Sequence, residues 1–281
     1  MRRLAIIAAA LAVSVSLGSL AIGGSPARGE ATASAAPATA GAAPGPHTIY
    51  LVNRTEEAIW PAAWPGSTTG QTGWKLPVGG GASFTVPAGW NARFWGRTGC
   101  HFHAGKGGCR TGDCDGLFQC RGWGGIPATL AEYNLDSFAG LDFYDVSMVD
   151  GSNLPMYIRV IHGEAEKSID ANGCLRPGVC TSEVKCPKAL RVPRGSAKPV
   201  GCISPCARFG TNRYCCRGPF AANCSPARTW PVDYAAVFKR AEPFAYSWSG
   251  DDATSVFTCK GGCDFEVVFG VTPPGVGGPP G

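Results

Sequence analysis

The sequence predicts an all-β protein, an antiparallel sandwich interrupted by two cysteine-rich insertions. Three observations carry that prediction. Forty Gly and 23 Pro among 281 residues leave little chain suited to long helices, because these are the two poorest helix-interior residues. Short apolar and aromatic runs bounded by turn residues recur in both halves of the chain. All 14 cysteines lie after residue 99, and 12 of them fall into two clusters, which reads as cross-linked loops set into a sheet.

In chain order, residues 48–52, 58–60, 83–86 and 92–95 are strand signals separated by Gly, Pro and Asn, the pattern of a meandering sheet. Residues 99–127 hold nine Gly and four Cys with no apolar periodicity, so cross-links must shape this small loop domain. Strand signals return from Leu130 through Val160, most clearly at 143–149 and 157–161. Eight cysteines between 174 and 224 mark a disulfide-rich lobe, spanning 182–241 and containing one short helix near 234–239. A final pair of strands, 256–259 and 265–269, must close the sandwich, whose parts are 47–98, 128–181 and 242–270. Residues 271–281, rich in Pro and Gly, read as a disordered tail.

Composition narrows location and partners. With 44% hydrophobic and 16% charged residues the chain is globular. The formal charge of +5 is small and, over the whole sequence, scattered, which argues against nucleic acid as a partner. Arg2 and Arg3 followed by the apolar run 4–20 form a signal peptide, with a spacer to residue 36 and cleavage sites at Ala27 or within Ala33 to Ala36. The alternative is an uncleaved membrane anchor, which the Ser and Gly of that run weaken. No later segment is apolar enough to span a membrane, so the expected product is a secreted, extracellular monomer. An even number of cysteines in an exported chain makes disulfides the default. Zinc would require closely paired cysteines, which the spacing of Cys100, Cys109, Cys114 and Cys120 does not supply. His101 and His103 read as surface residues, and neither a metal nor a cofactor is assigned.

The run from Gly105 through Cys109, Asp113, Cys114 and Gly116 to Cys120 resembles the signature of the thaumatin-like proteins. Flanking segments resemble the family too: Phe94 to Cys100, Thr129 to Tyr133, Leu141 to Gly151, Asn153 to Met156 and Tyr214 to Cys216. The likeness covers about residues 47–270. It implies a flattened β-sandwich, a disulfide-rich lobe on one side, a small loop domain on the other, and an acidic cleft. It also implies the bridges Cys100 to Cys109, Cys114 to Cys120, Cys174 to Cys259, Cys186 to Cys202, Cys206 to Cys215 and Cys216 to Cys224. Thr55 and Gly270 occupy the places of two family cysteines, so that bridge is missing as a pair. Cys180 and Cys263 remain, and bridging them to each other is the simplest repair.

Five polar residues line the family cleft, and the matching positions are Arg93, Glu132, Asp145, Asp150 and Asp251, the last chosen over its neighbour Asp252. On residue spacing alone Asp145 and Asp150 fall on opposite faces of a continuous strand, so they share a cleft only if the chain turns near Asp150-Gly151. Gathered carboxylates repel, which raises at least one titration and leaves a proton where a general acid needs it. Glu132 is the candidate acid and Asp145 the candidate base of glycoside hydrolysis, with Arg93, Asp150 and Asp251 binding substrate. The competing reading makes Arg93 and its acids an ion network that shapes the cleft without chemistry. Trp123, Tyr133, Phe143 and Tyr144 are candidate stacking residues, though each also suits core packing. Asn53 and Asn223 begin glycosylation tripeptides. The function expected from the resemblance is binding of fungal-wall β-1,3-glucan, with weak endo-β-1,3-glucanase activity as its enzymatic extension in antifungal defence. The alternative is a protein-recognition, enzyme-inhibiting or membrane-active antifungal protein working through residues 99–127.

Overall fold

The computed structural model describes residues 45–165 and 181–271. The export segment, Cys174, Cys180 and the tail beyond Val271 lie outside the described residues. Twelve strands are present: β1 (His47–Asn53), β2 (Trp60–Trp64), β3 (Gly81–Val86), β4 (Asn91–Arg97), β5 (His101–His103), β6 (Lys106–Gly108), β7 (Leu130–Asn134), β8 (Leu141–Ser147), β9 (Met156–Ala165), β10 (Arg191–Val192), β11 (Gly201–Cys202) and β12 (Phe257–Phe269). Four short helices join them: α1 (Pro205–Phe209), α2 (Pro226–Thr229), α3 (Ala235–Ala241) and α4 (Asp252–Ser255). None is long and apolar enough to cross a membrane.

Eight strands form one sheet in the order β2-β4-β7-β8-β12-β1-β3, with β9 also paired to β12. The sheet forks at β12, whose first residues pair with β8 and whose last residues pair with β1. The two limbs close on each other over the main apolar core, and a smaller cluster around Trp95 and Leu130 packs beside the loop of residues 99–127. Phe84 of β3 meets Phe94 of β4 at 5.3 Å between ring centroids, and Phe265 of β12 lies 5.1 Å from Tyr133 and 5.0 Å from Tyr144. All these rings except Phe84 are buried, and each contributes roughly 1.5–3 kcal/mol by leaving water.

The all-β class holds, with three corrections to its details. The sheet is mixed, because β1 and β12 run parallel. The last two expected strands are one, continuing through a bulge where Gly261 (φ 98°) and Gly262 (φ 65°) adopt backbone angles that side chains disfavour. Strand β2 continues through Pro61, expected to be a turn residue. The far side of β2 carries only isolated bridges, from Ile59 to Leu76 and Ala62 to Gly73, and on such an outer strand a missing N–H costs little. The helix expected near 234–239 is α3.

Five of the expected disulfides are present: Cys100–Cys109, Cys114–Cys120, Cys186–Cys202, Cys206–Cys215 and Cys216–Cys224. The other two expectations fail together, because Cys259 bonds Cys263 and neither is free for Cys174 or Cys180. The physical reason is the bulge, which folds the strand so that the two Cα atoms stand 6.3 Å apart, within bridging range. Gly163 of β9 underlies this bridge, and a Cβ there would collide with Cys263 Sγ. Where the family bridge is missing, backbone bonds hold the ends: Arg54 N–H donates to Phe269 O and Gly270 N–H to Pro155 O, each at 2.8 Å.

The loop of residues 99–127 is attached to the sheet by Arg97. This fully buried side chain donates to the carbonyls of Trp60, Leu117 and Phe118 at 2.8–2.9 Å. His47 pins the start of β1. Its Nδ1 lies 2.8 Å from Cys263 O and its Nε2 2.9 Å from Asp136 Oδ2, while Asp142 accepts the backbone N–H groups of Asp136 and Cys263. Burial lowers the His47 pKa, but Asp136, the Cys263 carbonyl and Asp142 outweigh it and raise the value overall. These three side chains are close enough to surround a cation, yet their polar atoms are already engaged in the pin.

Candidate functional site

Strand register builds the site. Arg93 on β4 sits opposite Glu132 on β7, which sits opposite Asp145 on β8, and directly paired residues project from the same face of a sheet. Trp64 of β2 is paired with Arg93 and extends this row. The next row on that face, Trp95, Leu130 and Ser147, belongs to the other parity from Phe94, Tyr133 and Tyr144, which point into the core. Strand β8 ends at Ser147 and the chain turns, with Gly151 N–H donating to Met148 O at 2.9 Å and Gly151 at φ 102°. That turn returns Asp150 to Arg93, whose Nη1 lies 3.2 Å from Asp150 Oδ2 and 3.8 Å from Glu132 Oε1. Four of the five residues singled out in the sequence therefore meet in one place.

The fifth, Asp251, does not join them. Its carboxylate accepts from Lys239 Nζ at 2.9 Å and from Ser247 and Thr254. Asp252 instead stands close enough to raise the titration of Asp145, and it accepts from Tyr246 Oη at 2.7 Å. Tyr246 reaches this place because its backbone bridges to Ser147 at the end of β8. No local signal in the sequence marks Tyr246 or Asp252 as neighbours of a strand a hundred residues away. Ser147 also belongs to the site, bonding Glu132; two residues on from Asp145, it was legible from strand alternation.

Among the candidate stacking residues, Tyr133 and Tyr144 are core residues and Phe143 is half-buried. Trp123 differs, being 53% exposed with its ring 4.4 Å from the Arg93 guanidinium carbon. The short run Gly122 to Gly125 carries it over the acidic row. Of the histidines, His101 and His103 are exposed on the β5–β6 hairpin. Asn53, the first glycosylation candidate, is fully buried and donates to three carbonyls, so its amide is closed to modification.

Electrostatics follow from this crowding. Burial pushes the Glu132 carboxyl up; Arg93 opposes, Asp150 adds to the rise and the Ser147 bond opposes. Asp145 is pushed well above the ordinary carboxylate range by burial, then by the charges of Glu132 and Asp252. Glu132 keeps 37% of its side chain exposed, whereas Asp145 Oδ1 is buried without a hydrogen-bond partner, as is Arg93 Nε. A separate cavity of about 720 Å³ lies near Arg54, Glu57, Asn153, Val184 and Lys198. It contains none of the paired carboxylates.

A mostly β chain, cross-linked by six disulfides among its described residues and folded about one forked mixed sheet, defines the class. The chain belongs to the thaumatin family, whose family model matches residues 53–271. It is 42% identical over 226 residues to "Pathogenesis-related thaumatin-like protein 3.2" of Cryptomeria japonica, covering 79% of this chain and 87% of that protein. It is 44% identical over 224 residues to "Pathogenesis-related protein 5" of Arabidopsis thaliana, covering 78% and 88%. Among solved structures, the thaumatin-like xylanase inhibitor TLXI overlays with a TM-score of 0.41 at 21% identity, covering 79% of this chain and 97% of that one, a likeness too weak to bear on activity.

Proposed function

We propose that this is a secreted defence protein that holds β-1,3-glucan on the row formed by Arg93, Glu132, Asp145 and Asp150. The names of the curated relatives support the defence role, and six disulfides fit an oxidising, extracellular setting. One observation carries the glucan reading: a buried nitrogen of Arg93 is unpaired beneath the exposed Trp123, and a buried oxygen of Asp145 is unpaired two strands along the same row. Unsatisfied buried polar groups are rare in native proteins, and here the Arg93 one adjoins an aromatic face on which a sugar ring can stack. Carboxylate oxygens of Glu132 and Asp150 accept sugar hydroxyls, and the Arg93 guanidinium donates.

For hydrolysis, the roles expected from the sequence exchange. Arg93 beside Glu132 favours its carboxylate form, so Asp145, raised by burial and by the charges of Glu132 and Asp252, is assigned the proton. Binding is the primary activity in this reading, since an oxygen of Asp145 is buried without a partner while Glu132 and Asp150 each keep 37% of the side chain exposed. The test is a pull-down on insoluble β-1,3-glucan paired with reducing-end release from a soluble one. Trp123→Ala should weaken retention by about tenfold, the equivalent of roughly 1.4 kcal/mol of stacking. Glu132→Gln should abolish any sugar release while weakening retention less than Trp123→Ala does. Wild-type protein that glucan does not retain, or retention indifferent to Trp123→Ala, would remove this proposal.

A further inference from the structure

The positive charge of the chain is concentrated in one segment. Residues 182–241 carry eleven Lys and Arg against only Glu183 and Asp233, whereas the remainder after residue 36 carries eleven against 17 acids. The scattered charge read from the whole sequence is therefore two opposed regions. Within 182–241 only Lys239 forms an ion pair among the described residues.

Bonds within this segment link the turns that carry five of the arginines into one track. Arg208 of α1 donates from Nη2 to Arg191 O at 2.8 Å, and Arg191 donates from Nη1 to Ser196 O at 2.9 Å, closing the loop that carries Arg194. Cys206, also on α1, lies 3.9 Å from Arg217 Nη2, and Arg217 N–H donates to Asn212 O beside Arg213. The disulfides Cys186–Cys202, Cys206–Cys215 and Cys216–Cys224 fasten these turns. Arg194, Arg213 and Arg217 are exposed, and Arg208 Nε is buried without a partner. Of the two acids, Asp233 is occupied in accepting Ala236 N–H, and Glu183 lines the separate cavity with Lys198. Phe209 stacks on Tyr214 at 4.8 Å alongside the track and is 37% exposed.

We infer that the arginine track Arg191, Arg194, Arg208, Arg213 and Arg217 is a second binding surface, one that takes a polysaccharide bearing acidic groups. Guanidinium forks match carboxylate, sulfate and phosphate oxygens in pairs, and a row of them with an aromatic face suits an extended anionic sugar chain. A bilayer is the poorer fit. The only large apolar side chains exposed in this segment are Phe209 and Val232, too few for the apolar face that surface insertion needs.

The test uses the full chain with its disulfides intact, on columns of polygalacturonate, dextran sulfate and neutral dextran. The wild type should be retained by both acidic polymers and released by salt, and should pass through neutral dextran. The triple variant R194E/R213E/R217E should bind at least about tenfold more weakly, because exposed charge contacts act additively and are screened by salt. If it fails to fold, R194E and R217E tested singly should each elute at lower salt. Trp123→Ala should leave this retention unchanged, so loss of the glucan reading and loss of this one are separable. Equal retention of the charge-reversed and wild-type proteins would overturn the inference. So would binding confined to phosphatidylserine vesicles, or to single-stranded DNA.

Discussion

Replacing Asp145 by Asn tests where the proton of the carboxylate row resides. Burial and the charges of Glu132 and Asp252 raise this carboxyl well above its ordinary value, so between those two values the folded state holds a proton that the unfolded state has lost. Stability must then fall as pH rises, starting near the unfolded value of about 3.9 and ending at the raised folded value. The slope counts protons and is indifferent to the size of the shift, so for one group it reaches at most about 1.4 kcal/mol per pH unit. The amide of the Asp145→Asn variant cannot ionise, which removes this contribution. Denaturant unfolding at intervals from pH 4 to pH 8, disulfides intact, should give a variant-minus-wild-type difference that grows in the variant's favour with up to that slope and then levels off. Other titrating groups are common to both proteins and largely cancel. A difference independent of pH, or a wild type that gains stability relative to the variant as pH rises, would mean that Asp145 is ionised and well partnered, and the proton-holding role would be lost.

Arg97→Met should lower stability by about 3–5 kcal/mol in chemical unfolding, because the carbonyls of Trp60, Leu117 and Phe118 lose a buried charged donor together; a change under about 1 kcal/mol would refute this account of how the loop is attached. Glu242 is 1% exposed and burial raises its pKa to about 7. Its folded value exceeds the unfolded one, so it costs stability increasingly from pH about 4.3 to about 7 and fully above; Glu242→Gln should therefore relieve a loss seen in pH 8 melts, and equal melting at pH 8 would contradict it. Non-reducing tryptic mapping should cut after Lys260 yet leave the peptides on either side joined through Cys259 and Cys263; recovery of either cysteine linked to Cys174 or Cys180 would refute the assigned bridge.

Much of the fold was legible in the residues because strand signals are local. Alternation and turn residues placed β1, β3, β4 and β8 within a few positions, and the resemblance carried five disulfides and four of the site's residues. Errors arose where a neighbouring strand decides the outcome. Pro61 punctuates a sequence but does not end an outer strand, and two glycines read as a break where the ladder to β9 continues past them as a bulge.

The sequence by itself determined that this chain is a cross-linked β protein with acids spaced for strands and with arginines crowded into residues 182–241. Tertiary structure alone decided which acids face one another, because that depends on register between strands far apart in the chain: Arg93, Glu132 and Asp145 align only through the pairing of β4, β7 and β8. It also decided that Asp252 rather than Asp251 neighbours Asp145, and that Cys259 meets Cys263. Composition and spacing are properties of one chain read in order, whereas a charge's neighbours, and hence its proton, are set by distances that exist only after folding.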